Sequence, residues 1–224
     1  VKPFLLVLSS PSGGGKTTIA RRLLTVRNDV AYSVSATTRK QRPGEEPDRD
    51  YHFLSREEFE RLEAGGAFVE SATYNGERYG TLRSEIDRSF ATGRHVVMDI
   101  EIQGARQVRE RFPSAIHVFV LPPSGEALVA RLRDRKTESF TALKRRLAHA
   151  LDELKAVGEY DYAVVNEDLD RAVAQVSAII DGEALRVPRQ DNLPEVVDNL
   201  RRTISAEAMR ISTEQKKVEV KDGR

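Results

Sequence analysis

An unbroken apolar run, Phe4-Leu5-Leu6-Val7-Leu8, stands near the start of the chain, and Ser9-Ser10-Pro11-Ser12-Gly13-Gly14-Gly15-Lys16-Thr17-Thr18 follows it. The run has the length of a buried strand and the small residues the character of a turn. Then Ile19, Leu23 and Val26 recur at helical spacing between Arg21, Arg22 and Arg27. The rhythm returns downstream. Val30, Tyr32 and Val34 alternate up to Ser35, which predicts a half-buried strand. Ser55 with Glu58 forms a capping box for a helix closed by Gly65-Gly66, and Phe68 to Tyr74 reads as a strand turned by Asn75-Gly76.

A helix from about Leu82 to Gly93 leads into the buried strand His95 to Ile100. A helix from Gly104 to Arg111, a strand from Ile116 to Leu121, a strand from Asp161 to Val165 and a helix from Leu169 to Ile180 complete the series. Near-continuous apolar strands separated by helices predict a parallel sheet covered on both faces. Between Pro122-Pro123 and the last strand lies a long helical stretch, broken at Lys136-Thr137-Glu138-Ser139-Phe140 in the manner of a hinge or lid tip. Beyond Arg189, Leu193, Val197, Leu200 and Ile204 predict one more amphipathic helix, begun by Pro194.

Composition narrows the choices. The chain has 224 residues and 39% hydrophobic content, enough for one core with small insertions. Its 36 basic and 35 acidic residues leave a net charge of +1, so no global field draws it to nucleic acid or an anionic membrane. Cysteine is absent, which excludes disulfides, zinc-thiolate sites and thiol nucleophiles. No run approaches a membrane span and none ahead of the first strand reads as a signal peptide, so a soluble cytoplasmic protein is expected.

Candidate chemistry begins at the first turn. Strand, glycine-rich loop and helix in that order are the setting of a Walker A phosphate loop. Glycines let successive backbone N–H groups turn around a phosphate, and the helix N-terminus adds positive charge. Lys16 would reach the β- and γ-phosphates, and the Thr17 hydroxyl would ligate Mg2+. Ser10 stands where the pattern opens with glycine. Asp99 ends an apolar strand, where a Walker B carboxylate sits, and Glu101 would share its face on a continuing strand. Arg39, Lys40 and Arg42 beside Tyr51 and Tyr79 form a second anion site or a solvated charge cluster. Arg131 and Arg135, four apart on a helix, face the same way; they serve a closing element or an exposed basic face.

Taken together these stretches resemble guanylate kinase, particularly its bacterial form. The likeness runs through Ser33-Val34-Ser35-Ala36-Thr37-Thr38-Arg39, Arg42-Pro43-Gly44-Glu45, Asp50-Tyr51, Phe68-Val69-Glu70 and Tyr79-Gly80-Thr81. It continues through Asp99-Ile100-Glu101, Leu121-Pro122-Pro123-Ser124, Arg131-Leu132 and Tyr160-Asp161-Tyr162 to Val165-Asn166-Glu167-Asp168. The resemblance implies an α/β fold: a P-loop kinase core whose parallel sheet is flanked by helices, with an inserted small mixed nucleotide-binding region and a helical lid. Residues 1–190 would form this domain, with 35–87 the GMP-binding insertion and 124–147 the lid. Residues 191–224 would be an extension of one helix and a polar tail.

The resemblance also implies transfer of the γ-phosphoryl group of ATP to GMP, and to dGMP, with Mg2+. ATP would take Ser12, Gly13, Gly14, Gly15, Lys16, Thr17, Thr18 and Asn166, the last near the adenine, and the metal would take Thr17 and Asp99. GMP would take Ser35, Arg39, Arg42, Tyr51, Glu70, Tyr79, Gly80, Thr81 and Glu101. Lys16, Arg39, Arg131, Arg135 and Arg146 would act on the transferring group. Small-molecule partners alone are implied, with no nucleic acid or membrane. The chain departs from the family where Glu101 replaces Asp and where Lys136 and Phe140 replace a lid glycine and an acidic residue. Two alternatives stand. One is a related P-loop kinase acting on another phosphorylated small molecule, against which Glu70, Glu101 and Thr81 speak. The other is a non-catalytic module of the same fold that binds protein partners; such modules typically lose the phosphate loop, and here Lys16 and Thr17 remain.

Overall fold

The computed structural model describes residues 1–74, 76–133 and 140–222. The expectations placed on Asn75, on Arg135 and on Lys136 to Ser139 lie outside the described residues. Contacts divide the chain into a unit of residues 3–181 and a smaller one of residues 1–2 with 182–224.

The larger unit holds two sheets. Strands β1 (Leu5–Ser9), β2 (Val30–Tyr32), β7 (His95–Asp99), β8 (Ile116–Leu121) and β9 (Tyr162–Val165) form a five-stranded sheet in the order β2-β7-β1-β8-β9. Every pairing in it is parallel. Strand β1 is central and wholly buried, as its unbroken apolar run requires. Helices α1 (Lys16–Val26), α3 (Arg83–Ala91) and α4 (Ile102–Arg111) pack on these strands. Their buried Ile86, Ala105 and Val108 join Leu5, Val7, Val96 and Met98 in one core cluster.

The second sheet comprises β3 (Ser35–Thr37), β4 (His52–Phe53), β5 (Phe68–Tyr74) and β6 (Glu77–Leu82), ordered β4-β3-β6-β5. Its own core is Ala36, Phe59 and Phe68, with the Phe59 and Phe68 rings stacked 4.4 Å apart. Phe59 comes from α2 (Arg56–Ala64), whose cap Ser55 accepts from Glu58 N–H as the capping signal requires. Gly80 is obligatory here, because a Cβ would stand 2.9 Å from both the Glu70 carbonyl and the Phe68 ring.

Two expectations are corrected. The alternation from Val30 to Ser35 is not one strand: β2 stops at Tyr32 and β3 starts at Ser35 in the other sheet. Ala31 is buried as well as Val30, so the apparent alternation does not describe a one-faced strand. Ser33 N–H still bonds the Val97 carbonyl, and by Ser35 the partner is Thr81. Nor does the β7 strand continue to Glu101. It ends at Asp99, and Glu101 is the N-terminal cap of α4 with φ −74° and ψ 161°.

Past β8 come α5 (Gly125–Arg133) and α6 (Phe140–Leu154), paired through Leu128, Leu132 and Ala150. Helix α7 (Leu169–Ala184) follows β9. In the smaller unit, Lys2 N–H bonds the Arg189 carbonyl at 2.8 Å, and the Arg189 guanidinium lies 3.3 Å from Glu183. Helix α8 (Leu193–Asp222) carries the chain on. Among the described residues no helix is long and apolar enough to cross a membrane.

Candidate active site

The phosphate loop is set by three glycines with different duties. Gly13 and Gly15 adopt φ +86° and +96°, a region that side chains disfavour. Gly14 instead leaves room: a Cβ there would stand 2.7 Å from Ser10 Cβ. Ser10 is thereby accommodated in place of glycine, buried with its hydroxyl on the Pro11 carbonyl at 3.0 Å. Asn166, just after β9, closes the loop from behind. Its amide donates to the Gly14 carbonyl at 3.0 Å and lies where a Gly15 Cβ would be, so it grips the loop backbone.

Lys16 opens α1, and its ammonium reaches Glu101 Oε1 at 3.1 Å. Burial works against the lysine charge, but Glu101 and Asp99 outweigh it and hold the group above the ordinary lysine range. Thr17 Oγ1 donates to one Asp99 oxygen and the Tyr32 hydroxyl to the other. Burial, then the Asp99 charge, pushes the Tyr32 hydroxyl well up, so it stays a donor.

A hydroxyl and a carboxylate side by side at the lip of a phosphate loop are hard oxygen donors of the kind Mg2+ accepts. That ion keeps waters and phosphate oxygens in its shell and needs few protein ligands. No cluster of three or more acidic, histidine or cysteine ligands occurs among the described residues, so a richer cage is not on offer. Thr17 and Asp99 fit the ion.

The loop opens into a cleft of about 660 Å³ that extends to the second sheet. Arg39 and Arg42 line its far end with Tyr51 and Tyr79, whose rings meet edge to face at 6.0 Å. Arg39 lies over the Tyr51 ring at 5.1 Å and makes a two-pronged ion pair with Glu45 at 2.8 and 3.0 Å. Glu45 also accepts from Arg42 N–H at 2.8 Å. Glu70 on β5 and Ser35 on β3 line the cleft wall. Glu70 is 3% exposed, accepts from the Thr81 hydroxyl at 2.8 Å, and is pushed by burial to about 7.

The structure therefore brings together the loop residues, Thr17, Thr18, Asp99, Glu101, Ser35, Glu70, the two arginines, the two tyrosines, Arg131 and Asn166 around one cleft. Glu101 turns to Lys16. Gly80 and Thr81 lie behind the wall, Thr81 wholly buried beneath Glu70 and Gly80 filled around by the aromatic pair. Arg131 donates to the Gly13 carbonyl at 3.3 Å. Arg146 is buried, donates to the Leu132 carbonyl at 2.9 Å near the end of α5, and is not among the residues lining the cleft.

Sequence reasoning did not single out Tyr32, Glu45 and Glu153 as site residues. Glu45 carried a signal, since it follows Arg42-Pro43-Gly44 and so turns back onto the arginines. Tyr32 and Glu153 carried none, because their partners are distant in the chain.

A parallel sheet whose central strand runs through a phosphate loop into a helix, with a carboxylate at the tip of the neighbouring strand, defines a P-loop phosphotransferase. Comparison with known proteins is specific within that class. The family model described as guanylate kinase matches residues 2–183. A protein named guanylate kinase from Nitrosospira multiformis is 45% identical over 186 residues, 83% of this chain and 89% of that one. Its namesake from Symbiobacterium thermophilum is 48% identical over 188 residues, 84% of this chain and 89% of that one. The crystal structure of guanylate kinase from Anaplasma phagocytophilum superimposes with a TM-score of 0.72 at 33% identity, covering 88% of this chain and 94% of that one. The chain belongs to the guanylate kinase family.

Proposed function

We propose that the chain transfers the γ-phosphoryl group of ATP to GMP, giving ADP and GDP, and that it accepts dGMP as well. One observation carries the reading. A single cleft has an intact phosphate loop at one end and, at the other, an arginine pair beside two tyrosines and a buried carboxyl.

ATP phosphates enter the loop, where the Gly-rich backbone turns its N–H groups inward and Lys16 exchanges Glu101 for the β- and γ-phosphates. Thr17 and Asp99 would hold Mg2+, which would supply charge neutralisation to the phosphates. GMP phosphate is received by Arg39 and Arg42, with the Tyr51 and Tyr79 hydroxyls completing the shell. Guanine meets Glu70 and Ser35. Its imino and amino N–H groups need an acceptor, which the Glu70 carboxylate provides; adenine reverses that polarity and leaves buried polar groups unpaired.

An oxygen of the GMP phosphate attacks the γ-phosphorus in line. The bond to the bridging oxygen of ADP breaks as the new P–O bond forms, and no covalent intermediate arises. The attacking oxygen is already ionised at neutral pH, so no general base is required. The chain's contribution is to bring two anions together and exclude water. Arg131 beside the loop, Arg135 and Arg146 would neutralise the transferring group as the lid closes. ATP and GMP are cytoplasmic metabolites, and we assign the activity to that compartment.

A coupled ADP-release assay with GMP, dGMP, AMP, CMP and UMP as acceptors tests the reading. Turnover with GMP and dGMP and little with the others is expected. Equal turnover with AMP, or none with GMP, would reject it.

A further inference from the structure

Glu153 takes no part in the scheme above, yet its carboxyl enters the phosphate loop. It is the penultimate residue of α6, and its Oε2 accepts from Ser12 N–H at 3.0 Å, across 141 positions of sequence. Its other neighbours are Glu101 and Lys16. Glu101 holds Lys16 through Oε1, while Glu101 Oε2 is buried with no hydrogen-bond partner among the described residues. A buried carboxylate oxygen without a donor costs free energy. The carboxyl of Glu153 is the neighbouring group able to satisfy it.

We propose that Glu153 is a positioning residue: between Ser12 N–H and Glu101 it holds the phosphate loop at both ends, and so presets Lys16 for the nucleotide.

The geometry needs a donor: Ser12 N–H fixes one oxygen of the Glu153 carboxyl, and Glu101 Oε2 lacks a donor of its own. Burial and the negative charge of Glu101 both raise Glu153. As the acid it accepts from Ser12 with its carbonyl oxygen and offers its O–H to Glu101 Oε2. Glu101 then presents Oε1 to Lys16, so α6 and the start of α4 clasp the loop together. The opposite arrangement is equally specific: Glu153 could occupy the anion cradle and have to leave before phosphate enters. The two differ in sign.

This inference rests on the ATP:GMP reading for the role of the loop. ADP binding in the presence of Mg2+, measured by calorimetry without acceptor, is scored separately from GMP phosphorylation. A parent protein that binds ADP but does not phosphorylate GMP would sink that reading and leave this one standing. For Glu153→Ala, ADP affinity should fall about tenfold while GMP affinity is unchanged, the size expected for lost buried hydrogen bonds. Glu153→Gln keeps one acceptor and one donor in the same outline, and should stay within about twofold of the parent. Unchanged or tighter ADP binding by Glu153→Ala, an equal loss of GMP affinity, or a glutamine variant as weak as alanine would each overturn the proposal. If the alanine protein does not fold, Glu153→Asp replaces it. Its shorter reach should weaken ADP binding where glutamine does not, and the reverse order overturns the assignment.

Discussion

The Thr81 hydroxyl donates to Glu70 Oε1 at 2.8 Å in a pocket where both residues are almost fully buried. That single bond does not offset the burial, which holds the Glu70 carboxyl at about 7 against an ordinary 4.5. The unfolded chain gives up this proton first. Glu70 therefore lowers stability progressively as pH rises from about 4.5 to about 7, by on the order of 3 kcal/mol. Buried His117, lowered to about 4 by desolvation and by Arg109, acts in the opposite sense and gains stability as pH rises through nearly the same window. The parent profile hides both. Denaturant melts at pH 5 and pH 8 should show Glu70→Gln gaining on the parent as pH rises; parallel curves would refute the buried acid.

The same substitution tests base recognition. On the proposed binding mode guanine would ionise Glu70, because two N–H donors would replace the missing water. Glu70→Gln offers one of them an amide N–H instead of an acceptor, and should lose about ten- to a hundredfold in kcat/KM for GMP. Activity with AMP should change little and the KM for ATP less still. An unaltered GMP-to-AMP ratio in the folded variant would remove Glu70 from the guanine site.

Lys16→Met should abolish nearly all turnover and leave GMP binding intact. The lysine opens α1 at the loop, whereas the residues proposed to receive GMP lie at the far end of the cleft: Arg39 and Arg42 follow β3, Tyr51 precedes β4 and Tyr79 is on β6. Equilibrium binding of GMP alongside a single-turnover assay separates the two. A normal rate at saturating ATP and GMP would refute the loop assignment.

Gly104→Ala reaches the same pocket from α4. The added Cβ would fall 2.4 Å from Glu70 Oε2 and 3.0 Å from its Cδ, so the whole carboxyl must move. Overpacking of this kind costs about 1–3 kcal/mol. The KM for GMP should rise about tenfold or more, with the KM for ATP nearly constant. A loss shared equally by both substrates would mean that α4 itself had shifted.

The loop and the arginine pair were legible because each is encoded locally. Phe4 to Thr18 is a strand, a turn and a helix start within a few residues, and Arg39, Arg42, Pro43 and Gly44 stand together. The crossing at Ser33 was not legible. Whether Tyr32 and Ser35 share a strand depends on Val97 and Thr81, which nothing nearby reveals. Glu101 was misplaced because a strand was extended past Asp99, where the chain in fact caps a helix. The last helix was read to Ile204 from its apolar spacing and runs on to Asp222. Beyond Ile204 the apolar positions thin to Met209, Ile211, Val218 and Val220, and three Glu and three Lys, which favour helix on their own, stand among them. Arg210 and Glu207 add an i,i+3 pair.

Before any nucleotide arrives, the two best-placed cations of the cleft are already matched: Lys16 with Glu101 and Arg39 with Glu45. The protein thus brings its own counter-ions. When a polyanion binds a bare cationic surface, small ions are released and affinity falls steeply with added salt. On the proposed binding mode each incoming phosphate would displace a tethered carboxylate that cannot diffuse away. Nucleotide affinity should accordingly be far less sensitive to ionic strength than the number of arginines and lysines around the cleft would imply. The retained carboxylates also stand ready to reclaim their partners when product leaves.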